Sequence, residues 1–191
     1  MNAWGHFRTV VRHRHAVYRL CRKAGIGGQG LLHDLSKFSP TEFLSGARFY
    51  TDGTASPNVG ERALRGYSAA WLHHKGRNRH HFEYWQDYST RSRRVVSVKM
   101  PMKYVAELIC DRVAASKIYR GKDYTDSYPL EYFMRGKKSR KIHKQTSDYI
   151  EEMLTLLAEK GEDEAFRVLR EDVKKGDYGC TTDRGEDNGE I

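Results

Sequence analysis

The stretch PMKYVAELICDRVAASKIY, residues 101–119, decides the fold of this chain. Its apolar residues recur at helical spacing behind a proline that suits a first helical turn, which predicts a long helix over residues 102–119. Asp111 lies inside this apolar run. A carboxylate on a buried stripe is costly unless it meets a cation or hydrogen-bond donors. The partner of Asp111 is therefore expected to be either an arginine or a metal ion.

The same periodicity recurs on both sides of this helix, and no alternating pattern of useful length predicts a strand. Ser39-Pro40-Thr41-Glu42 is a capping box that opens one further helix, and the glycines of residues 25–30 predict a loop. The other helices are predicted over residues 3–24, 31–37, 40–50, 61–75, 79–88, 128–135, 143–160 and 163–173. With no internal repeat in 191 residues, the pattern predicts an all-α, single-domain helical bundle.

The overall composition excludes several classes of protein. Hydrophobic residues make up 38% and charged residues 31% of the chain, which is too polar for a membrane protein, and 12% of aromatic residues is too many for a disordered chain. No apolar run approaches the roughly 18 residues of a membrane span, and the N-terminus lacks a secretory signal. Three scattered cysteines indicate a reducing compartment. We expect a soluble, cytoplasmic protein with no membrane partner.

Charge is distributed unevenly along the chain. Residues 176–191 are rich in glycine and hold five acids and one arginine, a net charge of −4, so we expect a disordered acidic tail after a folded domain of residues 1–175. Because the whole chain carries +9, the domain carries +13. Such a body attracts anions, either phosphorylated small molecules and nucleotides or nucleic acid. Basic clusters at residues 91–94 and 137–141 are the candidate nucleic-acid contacts.

Eight of the nine histidines lie within the first 81 residues, in three groups. His13 shares the apolar stripe of its helix with Val17 and Leu20, so its ring is expected to face the core. A core-facing histidine is either a hydrogen-bonded structural residue or a ligand, and His13 alone does not distinguish the two. His33 and Asp34 are adjacent. An imidazole and a carboxylate on one helical turn can both reach a single metal ion.

The run His33-Asp34-Leu35-Ser36-Lys37 resembles the central motif of the HD-domain superfamily, whose members are all-α, metal-dependent phosphohydrolases. In that superfamily an upstream histidine and a distant aspartate complete the first metal site. His13, twenty residues upstream, matches the first of these, and Asp111, 77 residues downstream of Asp34, matches the last. Ser36 occupies a position where glycine is common. The resemblance implies an HD-domain-like helical bundle.

A second resemblance is more specific and covers roughly residues 10–170. The chain is similar to a family of uncharacterised bacterial and phage proteins through HDLSKFSPTEF (33–43), AWLHHKGRNRHHFEYW (70–85), MPMKYVAEL (100–108) and CDR (110–112). No activity is established for that family. This resemblance therefore implies a shared fold and a shared site, and it leaves the reaction open.

The HD resemblance implies a divalent metal ion, which would be Mn, Fe, Co, Ni or Mg, held by His13, His33, Asp34 and Asp111. In two-metal members of the superfamily, the aspartate of the His-Asp pair bridges to a second ion. The candidate ligands for that ion are His74 and His81. His74 is favoured over its neighbour because it lies on the inward face of its predicted helix.

Other polar residues near these motifs are candidates for substrate binding and catalysis. The side chains that could contact a phosphate are Lys37, Arg77, His80 and Arg112. His80 and His81 would open the helix predicted from residue 79, whose N-terminus favours an anion. Glu107, one turn before Asp111, is a candidate general base. Glu42 either partners a ligating histidine or serves only as the capping-box acid, and capping is the simpler role.

These residues predict a divalent-metal-dependent phosphohydrolase that acts on a phosphorylated small molecule or nucleotide, as a phosphomonoesterase, nucleotidase or phosphodiesterase. Its predicted catalytic residues are Asp34, Lys37 and Glu107. Two alternatives stay open, namely an HD-like di-iron protein of oxygen chemistry and a basic nucleic-acid-binding accessory protein with a non-catalytic site. Residues 25–30 lack the Lys-Ser/Thr ending of a nucleotide-binding loop, and no Gly-x-Ser-x-Gly motif is present, which argues against kinases and serine hydrolases.

Overall fold

Eight α-helices and one short hairpin make up residues 1–178, the part of the chain that the computed structural model describes. The helices are α1 (Ala3–Lys23), α2 (Gly27–Leu32), α3 (Pro40–Arg48), α4 (Pro57–Arg65), α5 (Ala69–Arg77), α6 (Met102–Arg120), α7 (Tyr128–Gly136) and α8 (Lys144–Lys175). The strands are β1 (Gln86–Ser89) and β2 (Arg94–Ser97). The prediction of a single all-α domain is confirmed. None of these helices has the length and apolar character needed to cross a membrane.

Helix α6 forms the centre of the core, as its apolar sequence predicts. Val105, Cys110 and Val113 are fully buried, and α6 contacts α1, α7 and α8. Val17 and Leu20 of α1 belong to the same cluster of buried side chains. Burial of one such aliphatic side chain contributes about 1.5–3 kcal/mol to stability. The core therefore holds α6, with the aspartate on it, in a defined position against α1.

Two local sequence signals set helix ends as predicted. Ser39 caps α3, because its hydroxyl accepts a hydrogen bond from the amide of Glu42 at 3.4 Å. Gly161 has a φ of 81° inside α8 and divides it in two, in agreement with separate helices over residues 143–160 and 163–173. Residues other than glycine rarely adopt this backbone conformation, which explains why the break falls on a glycine.

Helix α2 is a departure from the prediction, which placed a loop over residues 25–30. The helix begins at Gly27 and packs against α1. A Cβ atom at Gly30 would lie only 2.6 Å from the Cβ atom of Cys21. The glycines therefore serve the close approach of two helices here, a role that the sequence does not distinguish from loop formation.

The prediction of a helix over residues 31–37 is also wrong. Helix α2 ends at Leu32, and Asp34 then adopts the left-handed conformation with a φ of 54° and a ψ of 29°. A 3-10 turn follows over Leu35–Phe38, and the amide of Lys37 donates to the carbonyl oxygen of Asp34 at 3.0 Å. The His-Asp pair consequently lies at a sharp bend rather than within a helix.

The helix predicted over residues 61–75 is two helices. Helix α4 ends at Arg65 and is capped by Gly66, which has a φ of 78°. Helix α5 begins after Ser68. The hydroxyl of Ser68 accepts a hydrogen bond from the amide of Trp71 at 3.0 Å and caps the new helix. The glycine and the serine are ordinary stop and start signals that the apolar periodicity of this segment obscures.

The helix predicted over residues 79–88 does not form. The chain makes a 3-10 turn at Phe82–Tyr84 and then enters β1, which pairs antiparallel with β2. The indole nitrogen of Trp85 donates to the carbonyl oxygen of Arg79 at 2.7 Å and closes the turn. Because each strand has only four residues, the alternation that identifies a strand in a sequence is too short to detect.

The folded part of the chain continues past residue 175, the predicted end of the domain. Tyr178 is buried, and its ring centroid lies 4.8 Å from that of Tyr149. Its hydroxyl lies 2.8 Å from the hydroxyl of Thr146 and donates to the carbonyl oxygen of Met100. The rest of the predicted tail, residues 179–191, lies outside the described residues.

Candidate metal centre

Four segments that are distant in the sequence meet at one site. Helix α1 contributes a histidine, and the bend after α2 contributes a histidine and an aspartate. Helix α5 and the segment that follows it contribute three histidines, and α6 contributes an aspartate. These side chains are His13, His33, Asp34, His74, His80, His81 and Asp111. All seven residues are buried or half-buried. Asp34, His74, His80 and His81 form one group of possible metal ligands, and His13, His33 and Asp34 form another, with Asp111 beside His13 and His33. A third group, His33, His80 and Glu107, adds the carboxylate of Glu107.

The first group contains His13, His33, Asp34 and Asp111. Nε2 of His13 lies 2.9 Å from Oδ1 of Asp111 and 3.9 Å from Oδ2 of Asp34. Nε2 of His33 lies 3.3 Å from the same Oδ2 and 3.7 Å from Oδ1 of Asp111. The structure thus brings together all four residues that the HD resemblance implies for a first metal ion.

The second group contains Asp34, His74, His80 and His81. One ligand-type atom from each lies within 4.8 Å of the others. Oδ1 of Asp34 is 3.3 Å from Nε2 of His74 and 3.5 Å from Nε2 of His80. The two oxygens of Asp34 therefore face different groups, Oδ2 the first and Oδ1 the second. This is the arrangement that a carboxylate bridging two metal ions requires.

The backbone at Asp34 explains how one side chain reaches both groups. Its left-handed conformation is uncommon outside glycine, although aspartate tolerates it better than most residues. The bend turns the chain sharply between α2 and the 3-10 turn, and Nζ of Lys37 lies 2.8 Å from Oδ2 of Asp34. Strained conformations of this kind cluster at functional sites, where the surroundings hold them in place.

Five ligand-type atoms of the site are buried and have no hydrogen-bond partner. They are Nε2 of His13, His33, His80 and His81, and Oδ1 of Asp34. The close approach of His13 to Asp111 lacks the alignment of a hydrogen bond. A buried polar atom left unpaired costs about 1–3 kcal/mol, and native proteins contain few of them. Divalent cations would satisfy these atoms together, so the residues present fit a metal centre.

Glu107 lies behind two of the histidines. Its Oε1 is 2.8 Å from Nδ1 of His33 and 3.2 Å from Nδ1 of His80, and the side-chain amide of Gln29 donates to its other oxygen. A carboxylate that accepts from Nδ1 fixes the ring and leaves Nε2 for a metal ion. The predicted role of Glu107 as a general base does not fit this position, because Glu107 does not line the cavity and its carboxylate contacts the two imidazoles instead.

Glu42 holds a second pair of histidines. Its carboxylate oxygens lie 2.6 Å from Nδ1 of His73 and 2.7 Å from Nδ1 of His74. The simpler interpretation, in which Glu42 serves only the capping box of α3, is therefore wrong. Ser39 does cap the helix, but the side chain of Glu42 turns inward and orients His74 through the nitrogen that faces away from Asp34.

Electrostatics keep the carboxylates ionised. Burial alone would raise the pKa of Asp34, but His33 and Lys37 beside it hold that pKa well below its ordinary value. Burial would likewise raise the pKa of Asp111, and the neighbouring histidines lower it well below the ordinary value. Burial lowers the pKa of His81, so this imidazole is neutral. Ionised carboxylates and neutral imidazoles are the forms that bind metal ions.

His33 differs from His13 and His81, whose pKa values are lowered by burial. Burial would lower its pKa, but Asp34, Asp111 and Glu107 raise that pKa well above the ordinary value. A metal ion at Nε2 of His33 must therefore displace a proton, which couples metal binding to proton release.

The site opens into a cavity of about 620 Å³, a volume typical of small-molecule sites. The ligand-type residues on its wall are His13, Asp34, His74, His81 and Asp111. The basic residues on its wall are Lys37, Arg62, Arg112 and Arg140. A cavity that contains possible metal ligands together with four cationic side chains suits an anionic ligand.

Two of the predicted substrate-binding residues do not contact this cavity. Arg77 is exposed on α5, where its guanidinium approaches the carbonyl oxygen of His73 at 3.4 Å. His80 is only 1% exposed, and its Nε2 lies among the possible metal ligands instead. The physical reason is that residue 79 does not begin a helix, so the expected anion site at a helix N-terminus is not there. Lys37 and Arg112 do line the cavity.

Arg140 and Arg62 are cavity residues that the sequence did not single out. Arg140 belongs to the basic cluster of residues 137–141, and this cluster was the only signal that pointed to it. Arg62 carries no signal in the sequence, because an arginine on an amphipathic helix is ordinarily a solvated surface residue.

One family model, described as a family of unknown function (DUF5662), matches residues 2–156 of the chain. The match runs from the start of α1 into α8 and includes every residue of both groups. No curated protein and no solved structure matches the chain significantly.

Proposed function

Since this chain belongs to the DUF5662 family, whose function is unknown, we propose from its candidate metal centre that the protein is a divalent-metal-dependent phosphohydrolase that binds two metal ions. The substrate is a phosphorylated small molecule or a nucleotide. The first ion is held by His13, His33, Asp34 and Asp111, and the second by Asp34, His74, His80 and His81. His80 joins the second set because its Nε2 is buried, has no hydrogen-bond partner and faces Asp34.

The observation that carries this proposal is the convergence of buried, unpartnered ligand atoms around Asp34. Its two carboxylate oxygens face two separate sets of imidazoles. A structural network of histidines and aspartates would pair these atoms with one another, whereas Nδ1 of His33 bonds to Glu107 and its Nε2 has no hydrogen-bond partner, and the Nε2 atoms of His80 and His81 have none either. This division of the rings, with one nitrogen oriented and the other left over, is typical of metal-binding histidines.

The donor set favours some metals over others. Imidazole nitrogen suits iron, cobalt and nickel, whereas sites for magnesium and manganese consist mainly of carboxylates and water. With three histidines in the second group, that position suits iron, cobalt or nickel better than magnesium. The resemblance to HD-domain hydrolases through His13, His33, Asp34 and Asp111 supports the same chemistry.

Bound divalent ions would supply Lewis acidity toward a phosphoryl oxygen and lower the pKa of water. The chain itself supplies the remaining functions. Asp34 would hold both ions, while Glu107 and Glu42 orient the imidazoles through contacts with their Nδ1 atoms. Asp34 and Asp111 raise the pKa of Lys37 against the effect of burial, so its ammonium stays charged beside the site and can neutralise a phosphate. Arg112 adds a second positive charge on the cavity wall.

A di-iron protein of oxygen chemistry is the second candidate, because the same nitrogen and oxygen donors suit two irons. Reconstitution with Fe²⁺ in air distinguishes the two. Oxygen consumption with a new visible absorption band would favour the di-iron function, and release of phosphate would favour the hydrolase. The nucleic-acid alternative receives less support, because within the 137–141 cluster Lys137 pairs with Glu151 and Arg140 lines the cavity.

The experiment that tests the proposal measures metal content and hydrolysis on the same samples. Protein is purified without an affinity tag, reconstituted with Mn²⁺, Fe²⁺, Co²⁺ or Ni²⁺, and analysed for bound metal. Release of phosphate from phosphomonoesters and nucleotides is then measured. We expect about two ions per chain and metal-dependent phosphate release. Asp34→Asn should lose both, because the shared ligand is gone while asparagine still tolerates the left-handed backbone.

His15→Ala is the matched control, since His15 is an exposed histidine on α1 two residues from His13. This variant should keep the metal content and activity of the natural chain. Failure of the natural chain to bind any of these ions, or equal binding by Asp34→Asn, would overturn the metal centre. Two bound ions without phosphate release from any substrate class would overturn the hydrolase.

A further inference from the structure

Two arginine side chains contact the same aromatic ring, that of Tyr132, on the cavity wall. The guanidinium carbon of Arg112 lies 5.2 Å from the ring centroid of Tyr132, and that of Arg140 lies 5.5 Å from the same centroid. All three residues line the cavity that also contains Asp34 and Asp111.

Arg140 is held in this position by the backbone. Its Nη1 donates to the carbonyl oxygen of Phe133 at 2.8 Å. Gly136 provides the space, because a side chain there would overlap the guanidinium of Arg140. The guanidinium is thus fixed before any ligand arrives, and such preorganisation favours binding.

No carboxylate of the described residues lies within ion-pair distance of either guanidinium. Nε of Arg112 is buried and has no hydrogen-bond partner, and the same holds for Oε2 of Glu83, the acidic residue that faces the pair from the cavity wall. Two positive groups side by side, one with a buried unpaired donor, form a binding site for an anion.

We propose that Arg112 and Arg140 form a subsite for a second phosphate group, so that the substrate is a phosphomonoester that carries another phosphate, such as a nucleoside bisphosphate. This inference rests on the proposed function for the identity of the reacting phosphate. Lys37 is the cation that contacts the metal ligands, at 2.8 Å from Asp34. The arginine pair has no ion-pair contact with either aspartate of the site and stacks on α7 instead.

Phosphate is the anion that this pair recognises best. Each guanidinium presents a planar fork of donors that matches two phosphate oxygens. Tyr132 and Tyr128 line the same cavity and add apolar ring atoms next to which the carbon skeleton between the two phosphates can pack. The cavity of about 620 Å³ exceeds what a single phosphate needs and suits a small molecule.

Calorimetric titration of inorganic phosphate into chelator-treated full-length protein tests the subsite without metal. We expect binding to the natural chain that Arg140→Gln weakens by about tenfold or more, since a lost charged hydrogen bond contributes at least that factor. The matched control is Arg135→Gln, which removes the charge of an exposed arginine that contacts the same ring. Arg135 lies 5.7 Å from the Tyr132 centroid but does not line the cavity.

The metal-loaded enzyme supplies a second measurement. The KM for adenosine 3′,5′-bisphosphate should be about tenfold lower than that for adenosine 5′-monophosphate, and Arg140→Gln should abolish this difference. The subsite would be overturned if Arg140→Gln bound phosphate as tightly as the natural chain. It would also be overturned if a lower melting temperature were the only effect of this substitution. The protein could instead bind phosphate through Arg140 but neither bind metal nor hydrolyse esters. That outcome would support the subsite and overturn the proposed function.

Discussion

His33 and His80 lie with their ring centroids 4.5 Å apart, and the Nδ1 atom of each faces the same oxygen of Glu107. One carboxylate therefore orients a histidine of the first group and a histidine of the second. The two rings belong to segments 47 positions apart in the sequence, and α6 brings Glu107 between them. This arrangement makes Glu107 a positioning residue for both groups of possible metal ligands.

Glu107→Gln should weaken the binding of both metal ions by about 10- to 100-fold, which is the usual effect of removing a residue that orients a ligating histidine. The amide is nearly isosteric, so the fold should persist. Competition with a chromophoric chelator measures the affinities. Glu152→Gln, an exposed glutamate of α8, is the control. An unchanged affinity in Glu107→Gln would show that the carboxylate does not position these rings.

The two groups should be separable by mutation. His13→Ala removes a ligand only from the first group, and His81→Ala only from the second, so each variant should retain about one ion per chain. Asp34→Asn should retain none. Elemental analysis after gel filtration provides the counts. Loss of both ions in His13→Ala would mean that the groups do not fill independently.

The left-handed backbone of Asp34 predicts a difference between two substitutions at this position. Asparagine tolerates a positive φ, whereas a left-handed conformation costs other L residues about 1–2 kcal/mol. In metal-free protein, Asp34→Ala should therefore be less stable than Asp34→Asn by about that amount. Urea unfolding followed by circular dichroism measures the difference. Equal stabilities would indicate that the bend relaxes when the carboxylate is removed.

Glu162 predicts a dependence of stability on pH that is independent of the metal centre. Burial would raise its pKa, but contacts with Lys117 and Lys23 lower it, so the ionised form favours the folded state. This contribution should be complete above the unfolded pKa of about 4.3 and should disappear as the pH falls through the lower folded pKa. Urea unfolding between pH 7 and pH 3 tests it. The deficit of Glu162→Gln relative to the natural chain should shrink in acid, and a constant deficit would contradict the ion pairs.

Tyr178 predicts that the stable unit extends beyond residue 175. Its ring packs on Tyr149, and its hydroxyl bonds to the backbone of Met100. Tyr178→Ala should lower the free energy of unfolding by about 3 kcal/mol, in the range for buried aromatic residues. Tyr67→Ala is the control, because Tyr67 is 55% exposed. A change below about 0.5 kcal/mol in Tyr178→Ala, as for a surface substitution, would place the end of the folded unit earlier.

The sequence by itself determined the helical class, the long apolar helix α6, the cap at Ser39 and the break at Gly161. These features depend on hydrogen bonds and apolar contacts between residues three or four positions apart, which local patterns encode. The sequence also singled out His13 and Asp111, because polar residues on apolar stripes are conspicuous, and it singled out His33 and Asp34 as an adjacent pair that resembles the HD motif.

Only the tertiary structure decided what the second set of histidines and the two buried glutamates do. The contact of His33 with Glu107 joins residues 74 positions apart, and that of His74 with Glu42 joins residues 32 positions apart. Which nitrogen of a ring faces a carboxylate depends on the packing of whole helices, and no local pattern records it. For the same reason the hairpin and the bend at Asp34 escaped prediction, since cross-strand pairs and surrounding contacts stabilise them.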